Sequence, residues 1–369
     1  MKKVLIGYIL NGKSGGVDRY LMNVRQGLSG DARIDFLTTH RSAELEDMLS
    51  KSGSRLFEVP RATRPVEHYR AVKRIIDENK YDAVYFNIST GLMFPGVLAA
   101  KKAGAQRIVV HSHAAGTDSA GGLKKSVAML FHRIGRIVIS RNATDFFACS
   151  ETAGNWMFTK QIMDSAKFSL VNNAIRVENF VYDEDARKKT REALGIPDSA
   201  LVLGHVGNFL YAKNHDFLID VFAACHERHP DSRLIMVGDG PLRDGIEKKV
   251  YRLGLSKNTV FIGECESTTP YLQAMDIFLM PSHFEGFGIA AVEAQCTGLP
   301  CILSDSIPKS VDLTSLNSFL PTDNPICWAD AIDKAEKYER RDYTELVAQK
   351  GFSLSTVDFD KIVFGGSHA

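Results

Sequence analysis

The chain has 369 residues, of which 44% are hydrophobic and 24% charged, with 12 prolines and a formal net charge of +1. This composition excludes a disordered chain, and the length predicts two domains because a single compact domain rarely grows so large. Its apolar runs are shorter than the roughly 20 residues of a membrane span. Its six cysteines form no Cys-x-x-Cys pair, which argues against disulfides and structural zinc. We therefore expect a cytoplasmic protein.

Short β-branched runs alternate with segments of helical periodicity, which predicts parallel sheets flanked by helices. The first run, Val4–Tyr8, follows Met1 too closely for a signal peptide. The predicted strands of the first half are Val4–Tyr8, Ile34–Thr38, Leu56–Val59, Ala83–Phe86, Ile108–His111, Phe146–Cys149 and Ser169–Val171. Those of the second half are Leu201–Val206, Leu234–Val237, Val260–Ile262, Ile277–Met280 and Cys301–Ser304. The fold class is therefore α/β, with two doubly wound units.

A polar, charged run over residues 178–189 separates the two halves and predicts the domain junction. The expected domains are residues 1–190 and 191–350, followed by a tail of residues 351–369 that returns to the first domain. Ligands of doubly wound sheets bind in the crevice beyond the carboxyl ends of the strands. The search for chemistry is therefore confined to the loops that follow strands.

Two loops of the first half carry candidate residues. The turn after Val4–Tyr8 contains Gly15 and Gly16 ahead of a periodic helix, and it is similar to a phosphate-binding turn. It matches neither Gly-x-Gly-x-x-Gly nor a Walker sequence, which disfavours dinucleotide binding and nucleotide-triphosphate hydrolysis. After Ile108–His111 comes His113, and we expect the two histidines to point to opposite sides, one to a ligand and one into the fold.

In the second half, the loop after Leu201–Val206 holds Asn208 and Lys213 before an amphipathic helix. A lysine near a helix start suits a diphosphate, although most lone lysines are merely exposed. Gly238 lies in a turn after the next strand, where it either shapes a nucleoside pocket or makes a tight connection.

The strongest constellation, Pro281–Glu293, follows the strand Ile277–Met280. Gly286 and Gly288 allow a tight turn whose amides, with those of the next helix, favour an anion. Glu293 lies eight positions after Glu285, which is on the loop, and we expect Glu293 two turns into a helix that is apolar all round. A buried carboxylate needs partners, and either the hydroxyls of a sugar or an internal donor satisfies that need.

Together these residues resemble family 4 of the retaining glycosyltransferases, whose GT-B fold sets two Rossmann-like domains across a cleft. The most specific likeness is Glu-x7-Glu, Glu285 to Glu293, and the closest similarity is to bacterial exopolysaccharide and capsule transferases. The resemblance implies a hexosyltransferase that uses a nucleotide sugar, for which UDP is the expected nucleotide, without a metal or other cofactor. Asn208 stands where many members have an arginine.

The resemblance also implies roles for the candidate residues. Glu293 holds the donor's ribose, Glu285 and His113 contact the transferred sugar, and Lys213 with nearby backbone amides stabilises the diphosphate. The implied catalytic residues are Glu285, Lys213 and His113. The implied donor-binding residues are Gly15, Gly16, Asn208, Lys213, Gly238, Glu285, Gly286, Phe287, Gly288 and Glu293.

The expected acceptor is a lipid-linked saccharide at the inner membrane surface. Residues 1–190 contain 29 Lys and Arg against 19 Asp and Glu, which favours an anionic partner, and no nucleic-acid-binding motif is present. Within this half one predicted helix mixes basic and apolar residues, which indicates either peripheral membrane contact or an ordinary helix with a solvated basic face. Its basic residues are Lys124, Lys125, His132, Arg133, Arg136 and Arg141, and its apolar residues are Leu123, Val127, Leu130, Phe131 and Ile134.

Two alternatives stay open on the sequence alone. A nucleotide-sugar 2-epimerase has the same two-domain fold and needs no acceptor. A non-catalytic, nucleotide-binding subunit of a transferase complex would tolerate Asn208 and the alanines at 114 and 115, which follow His113.

Overall fold

The computed structural model describes residues 2–10, 12, 15–30, 32–116, 123–336 and 338–365, without the side chains of residues 123–125. The chain forms two compact units, the first made of Met1–Asn173 with Val357–Ala369 and the second of Ala174–Thr356. Three residues of the turn that follows Val4–Tyr8, namely Asn11, Lys13 and Ser14, lie outside the described residues, as do the side chains of Leu123, Lys124 and Lys125.

The first unit contains a seven-stranded parallel sheet in the order β3-β2-β1-β4-β5-β6-β7. Its interior strands read as continuous apolar runs because helices cover both faces. The strands are β1 (Lys2–Gly7), β2 (Ala32–Thr38), β3 (Leu56–Glu58), β4 (Ala83–Ile88), β5 (Arg107–Ser112), β6 (Asp145–Ala148) and β7 (Phe168–Leu170). The helices are α1 (Gly16–Gly27), α2 (Ala43–Ser50), α3 (Pro65–Asn79), α4 (Phe94–Lys102), α5 (Leu123–Asn142), α6 (Glu151–Met157) and α7 (Lys160–Met163).

The second unit repeats this topology with six parallel strands in the order β10-β9-β8-β11-β12-β13. The strands are β8 (Val202–Val206), β9 (Arg233–Val237), β10 (Thr259–Gly263), β11 (Ile277–Met280), β12 (Cys301–Ser304) and β13 (Asn317–Leu320). The helices are α8 (Glu184–Ala193), α9 (His215–Arg228), α10 (Arg243–Arg252), α11 (Thr269–Ala274), α12 (Ile289–Cys296), α13 (Pro325–Ala335) and α14 (Thr344–Val347). The core of this unit includes the fully buried Trp328 of α13 and side chains of α9, which packs against α13.

The strand order reverses at β1/β4 in the first unit and at β8/β11 in the second. Neighbouring loops then leave in opposite directions, so a crevice opens beyond the carboxyl ends of these two strands. The loops after β8 and β11 are those that hold Lys213 and Glu285. The fold therefore brings together two segments that lie 72 residues apart.

The predicted α/β class and all twelve predicted strands are confirmed, but the junction near residue 190 is wrong. The polar run forms α8, capped by Asp183, whose carboxylate accepts hydrogen bonds from the amides of Asp185 and Ala186. Arg187 and the buried Arg191 both pair with Asp276 in the loop before β11, which ties α8 to the second unit.

The end of the chain belongs to the first unit. Helix α15 (Phe359–Phe364) contacts α1 and β4. The guanidinium of Arg107, at the start of β5, donates hydrogen bonds to the carbonyls of Ile362 and Val363 at the end of this helix. Residues 366–369 of the predicted tail lie outside the described residues.

Candidate functional site

The centre of the second unit's site is an ion pair between the two loops at the strand-order reversal. The Lys213 Nζ lies 2.6 Å from Oε1 of Glu285, and the Ser282 hydroxyl donates to the same oxygen at 2.7 Å. Lys213 closes a short 3₁₀ turn just before α9, and Glu285 lies in the loop between β11 and α12. The pairing of these two side chains with each other was not predicted.

Further contacts hold the two loops against each other. The amide of His283 donates to the carbonyl of Ala212 at 2.8 Å. The rings of Tyr211 and His283 stack with their centroids 4.5 Å apart. These backbone and aromatic contacts join the loop of Lys213 to the loop of Glu285 next to the ion pair.

Glu293 lies in α12 and is only 2% exposed. The Thr268 hydroxyl donates to its Oε2 at 2.9 Å, so an internal donor satisfies part of the carboxylate's need for partners. Helix α12 is buried on nearly every side, as predicted, but Glu293 is its fifth residue, little more than one turn in. The expectation of two turns was wrong because the helix begins at Ile289, after Gly288 has adopted a φ of 102° that favours glycine.

Two histidines lie behind Lys213 and are held neutral. His205, on β8, donates from Nδ1 to the carbonyl of Leu279 at 2.8 Å, and its ring lies 4.8 Å from that of His215. Burial, reinforced by the charge of Lys213, lowers the pKa of His205 to about 4 and that of His215 to about 2. Neither ring therefore adds positive charge near neutral pH, and Lys213 supplies it.

The remaining predicted residues of the second unit line the same loops or pack beneath them. Asn208 is half-buried in the loop after β8, and the amide of Gly238, after β9, donates to the carbonyl of Gly263. Gly286 is buried in the loop after β11. Phe287 is also buried, and its ring stacks on Phe352 with centroids 5.1 Å apart, which makes it a packing residue of this loop.

In the first unit, part of the glycine turn is already occupied. The buried carboxylate of Asp18 accepts hydrogen bonds from the amides of Leu10 and Gly12, at 3.1 and 2.8 Å. A bound phosphate would compete for these donors. The turn continues through Gly15, which precedes α1 with a φ of 91°, and through Gly16, the first residue of that helix.

His113 lies in a buried aromatic cluster with His111. The two ring centroids are 4.0 Å apart, and Tyr20 of α1 packs 4.8 Å from His113. The expectation that the histidines point to opposite sides was wrong, because the two rings pack against each other at the end of β5. Burial lowers the pKa of His113 to about 3, so its imidazole is neutral. The Tyr85 hydroxyl contacts Nδ1 of His111 and lies 3.2 Å from the Tyr20 hydroxyl.

Sequence reasoning missed Ser282 and Thr268, which contact the two glutamates directly. Ser282 falls inside the quoted motif, but no pattern there shows which oxygen its hydroxyl bonds. Thr268 lies in a different loop, after β10, and only the fold brings it to Glu293. Among the residues that the structure describes, no group of three His, Cys, Asp or Glu side chains is arranged to hold a metal ion.

Two family models match the chain, one for each half. The model described as a glycosyl transferase 4-like domain covers residues 15–174, and that of the glycosyl transferases group 1 covers residues 186–349. The chain is 34% identical to EpsF of Bacillus subtilis, a protein named as a glycosyltransferase, over 95% of this chain and 93% of that protein.

A second relative and a solved structure extend this similarity. An Escherichia coli protein named UDP-Gal:alpha-D-GlcNAc-diphosphoundecaprenol alpha-1,3-galactosyltransferase is 28% identical over 73% of this chain and 70% of its own. The structure of Anabaena HepE in complex with UDP and glucose superposes with a TM-score of 0.77 at 19% identity, covering 96% of both chains. HepE in complex with UDP-glucose gives a TM-score of 0.76 at 20% identity, over 96% of this chain and 97% of that one.

Proposed function

Because this chain belongs to the group 1, or family 4, glycosyltransferases of GT-B fold, we propose that it transfers a hexose from a UDP-sugar to a lipid-linked saccharide with retention of anomeric configuration. The observation that carries the donor assignment is the contact of 2.6 Å between Lys213 and Glu285. In this contact a cation suited to a diphosphate lies beside a carboxylate suited to sugar hydroxyls, at the strand-order reversal of a doubly wound sheet, and this supports the proposed donor site.

The proposed donor contacts follow from the chemistry of each group. Lys213 and the amides of Gly286 and Gly288 bind the diphosphate, where the start of α12 adds the positive end of its dipole. Glu285 accepts hydrogen bonds from hydroxyls of the transferred sugar. Glu293 accepts them from the ribose, with the Thr268 hydroxyl holding one of its oxygens in place.

The first unit is assigned a smaller part of the donor chemistry. The neutral imidazole of His113 forms a hydrogen bond to the transferred sugar, since its lowered pKa excludes an acid role at neutral pH. The amides of the Gly15–Gly16 turn assist the diphosphate. Asp18 already occupies the amides of Leu10 and Gly12, so we confine this anion contact to the later part of the turn.

In the proposed reaction the acceptor hydroxyl attacks the anomeric carbon on the face from which the diphosphate leaves. The bond from that carbon to the diphosphate oxygen breaks while the new glycosidic bond forms. The acceptor's proton passes to an oxygen of the departing phosphate, so no dedicated carboxylate base is required. Lys213 stabilises the negative charge that accumulates on the diphosphate.

A lipid-linked acceptor is supported by two observations. The Escherichia coli relative is named for a diphosphoundecaprenol-linked acceptor. The basic first half of the chain favours an anionic partner, which a lipid pyrophosphate provides. The similarity to EpsF and the resemblance to exopolysaccharide transferases support a role in exopolysaccharide or capsule synthesis at the cytoplasmic face of the membrane.

The test combines ligand binding with turnover. A thermal-shift panel of nucleoside diphosphates and their sugars should show stabilisation by UDP and UDP-sugars, because a ligand of the native state raises its stability. Purified protein should then transfer labelled sugar to an added undecaprenyl-diphosphate saccharide, and Glu285→Ala should abolish transfer. Interconversion of free UDP-sugars without transfer would make the protein an epimerase, and UDP binding without either reaction would make it a non-catalytic subunit.

A further inference from the structure

Helix α5 of the first unit carries its apolar residues on the side that faces solvent. Val127, Leu130, Phe131, Ile134 and Ile137 follow one another at spacings of one or three residues, and each is 46–57% exposed. Residues three and four apart form one stripe along a helix. We call these five residues the outward face. A contiguous group of large exposed apolar residues of this kind marks an interaction surface.

The opposite side of α5 is fixed in place by polar and backbone contacts. His132 is buried, with Nδ1 accepting from the amide of Gly91 at 3.0 Å and Nε2 donating to the carbonyl of Trp156 at 3.0 Å. Gly135 lies directly against Gly91, so that a side chain at 135 would collide with the Gly91 carbonyl. The Arg136 guanidinium donates to the carbonyl of Asn155. These contacts prevent the helix from turning its apolar residues inward, and they show that His132 does not belong to the solvated basic face expected from the sequence.

The charge of α5 indicates what covers the outward face. The helix sequence contains five Lys and Arg and no Asp or Glu. Arg133 lies within the outward face in sequence and Arg141 just beyond it, and both side chains are exposed. A helix whose exposed apolar residues are accompanied by basic and no acidic residues of its own suits the boundary between headgroups and acyl chains in an anionic bilayer.

We propose that the outward face of α5 docks this protein on the surface of an anionic membrane. The five apolar side chains enter the headgroup boundary while Arg133 and Arg141 contact lipid phosphates. The proposal rests on the proposed function in one respect, since a lipid-linked acceptor gives the docking its purpose. None of the described helices has the length and apolarity required to cross a bilayer.

A second copy of the chain fits this face less well than lipid does. A symmetric dimer would use the same face on both subunits, and it would bring the exposed Arg133 and Arg141 of one copy towards the same positive residues of the other. An anionic bilayer neutralises the same charges while it buries the same apolar surface.

The test is sedimentation with vesicles of phosphatidylglycerol and phosphatidylcholine, compared with vesicles of phosphatidylcholine alone. The native protein should bind the anionic vesicles and be released by high salt. The double variant F131E/I134E should lose at least about thirtyfold in apparent affinity, a difference that corresponds to roughly 2 kcal/mol. The matched control is L253E on the second unit, because Leu253 is 47% exposed, as Ile134 is. It should bind vesicles like the native protein.

Folding and catalysis are followed separately in the same variants. Both should keep native thermal unfolding and UDP binding, and F131E/I134E should still transfer sugar to a short, water-soluble acceptor at a rate within about twofold of the native rate. Vesicle binding that survives F131E/I134E, or equal binding to both kinds of vesicle, would overturn the proposal. A native dimer that becomes monomeric in this variant would assign the face to a second copy and also overturn it. Vesicle binding without any transfer by the native protein would leave the docking in place and reject the proposed function.

Discussion

Replacing Lys213 with methionine should lower both the stability of the protein and its affinity for UDP, and the contacts of Lys213 allow a separate estimate of each effect. The side chains of Lys213 and Glu285 are 22% and 11% exposed, so the substitution leaves a largely buried carboxylate with only the Ser282 hydroxyl of its two described partners. Loss of a hydrogen bond to a charged group costs about 2 kcal/mol, and for a domain of this size the melting temperature should fall by about 4 to 8 °C. If Lys213 also binds the diphosphate, UDP affinity should fall by about thirtyfold.

The variant Glu285→Gln separates the two effects, since it removes the opposite member of the pair. It releases Lys213 from its carboxylate, so UDP should bind as tightly as to the native protein or more tightly. Sugar transfer should nevertheless fall by at least about a hundredfold, because the sugar loses a charged acceptor. Isothermal titration with UDP and a transfer assay with labelled donor measure both quantities.

The matched control is Lys249→Met, which removes a lysine of similar burial paired with Asp216 and Asp220 outside the proposed site. It should lower the melting temperature but leave UDP affinity unchanged. The reasoning is refuted if Lys213→Met binds UDP as the native protein does, or if Glu285→Gln weakens UDP as much as Lys213→Met.

Three further expectations concern the ribose, acid stability and metals. The native protein should bind UDP about tenfold more tightly than 2′-deoxy-UDP in a competitive titration, and Glu293→Gln should reduce this preference. If both proteins discriminate equally between the two nucleotides, Glu293 does not bind the ribose. The free energy of unfolding should fall as pH drops from 6.5 towards 4, because His205 and His215 bind protons in the unfolded chain but stay neutral in the native state. Each histidine should lower it by about 1.4 kcal/mol per pH unit. A melting temperature that stays constant over this range in buffered thermal unfolding would contradict the prediction. Transfer should survive a chelator because Lys213 and backbone amides supply the positive charge, and loss of turnover that manganese restores would place the enzyme in a metal-dependent class.

The strands were predictable because a buried parallel strand has a strong local signal. β13 (Asn317–Leu320) was the exception, since it is a polar edge strand that is mostly half-exposed and lacks a continuous apolar run. The predicted domain junction was wrong for a related reason. A run of charged residues predicts a linker when it is solvated, and nothing local shows that Arg191 is buried against Asp276.

The side-chain pairings of the site were not predictable from motif spacing. The motif placed Glu285 and Glu293 on one segment, but the partners of these residues come from elsewhere, Lys213 from the loop after β8 and Thr268 from the loop after β10. Helix α5 shows the same limit. Its sequence predicts an amphipathic helix, and only the contacts of its buried side decide which face meets solvent.

If Lys213 binds the diphosphate and Glu285 binds the sugar, as proposed, the ion pair also gives the protein a reason to prefer a complete donor. Lys213 and Glu285 form an ion pair, so a ligand that offers only phosphate must take the lysine and leave the carboxylate with Ser282. A ligand that offers only hydroxyls must compete with the lysine for the carboxylate. A nucleotide sugar offers new partners to both ions at once, and the exchange then costs little. Under the proposed assignment, negative charge would grow next to a lysine that has exchanged Glu285 for the diphosphate as the bond to the diphosphate breaks. The lysine would then stabilise the transition state more than the bound donor.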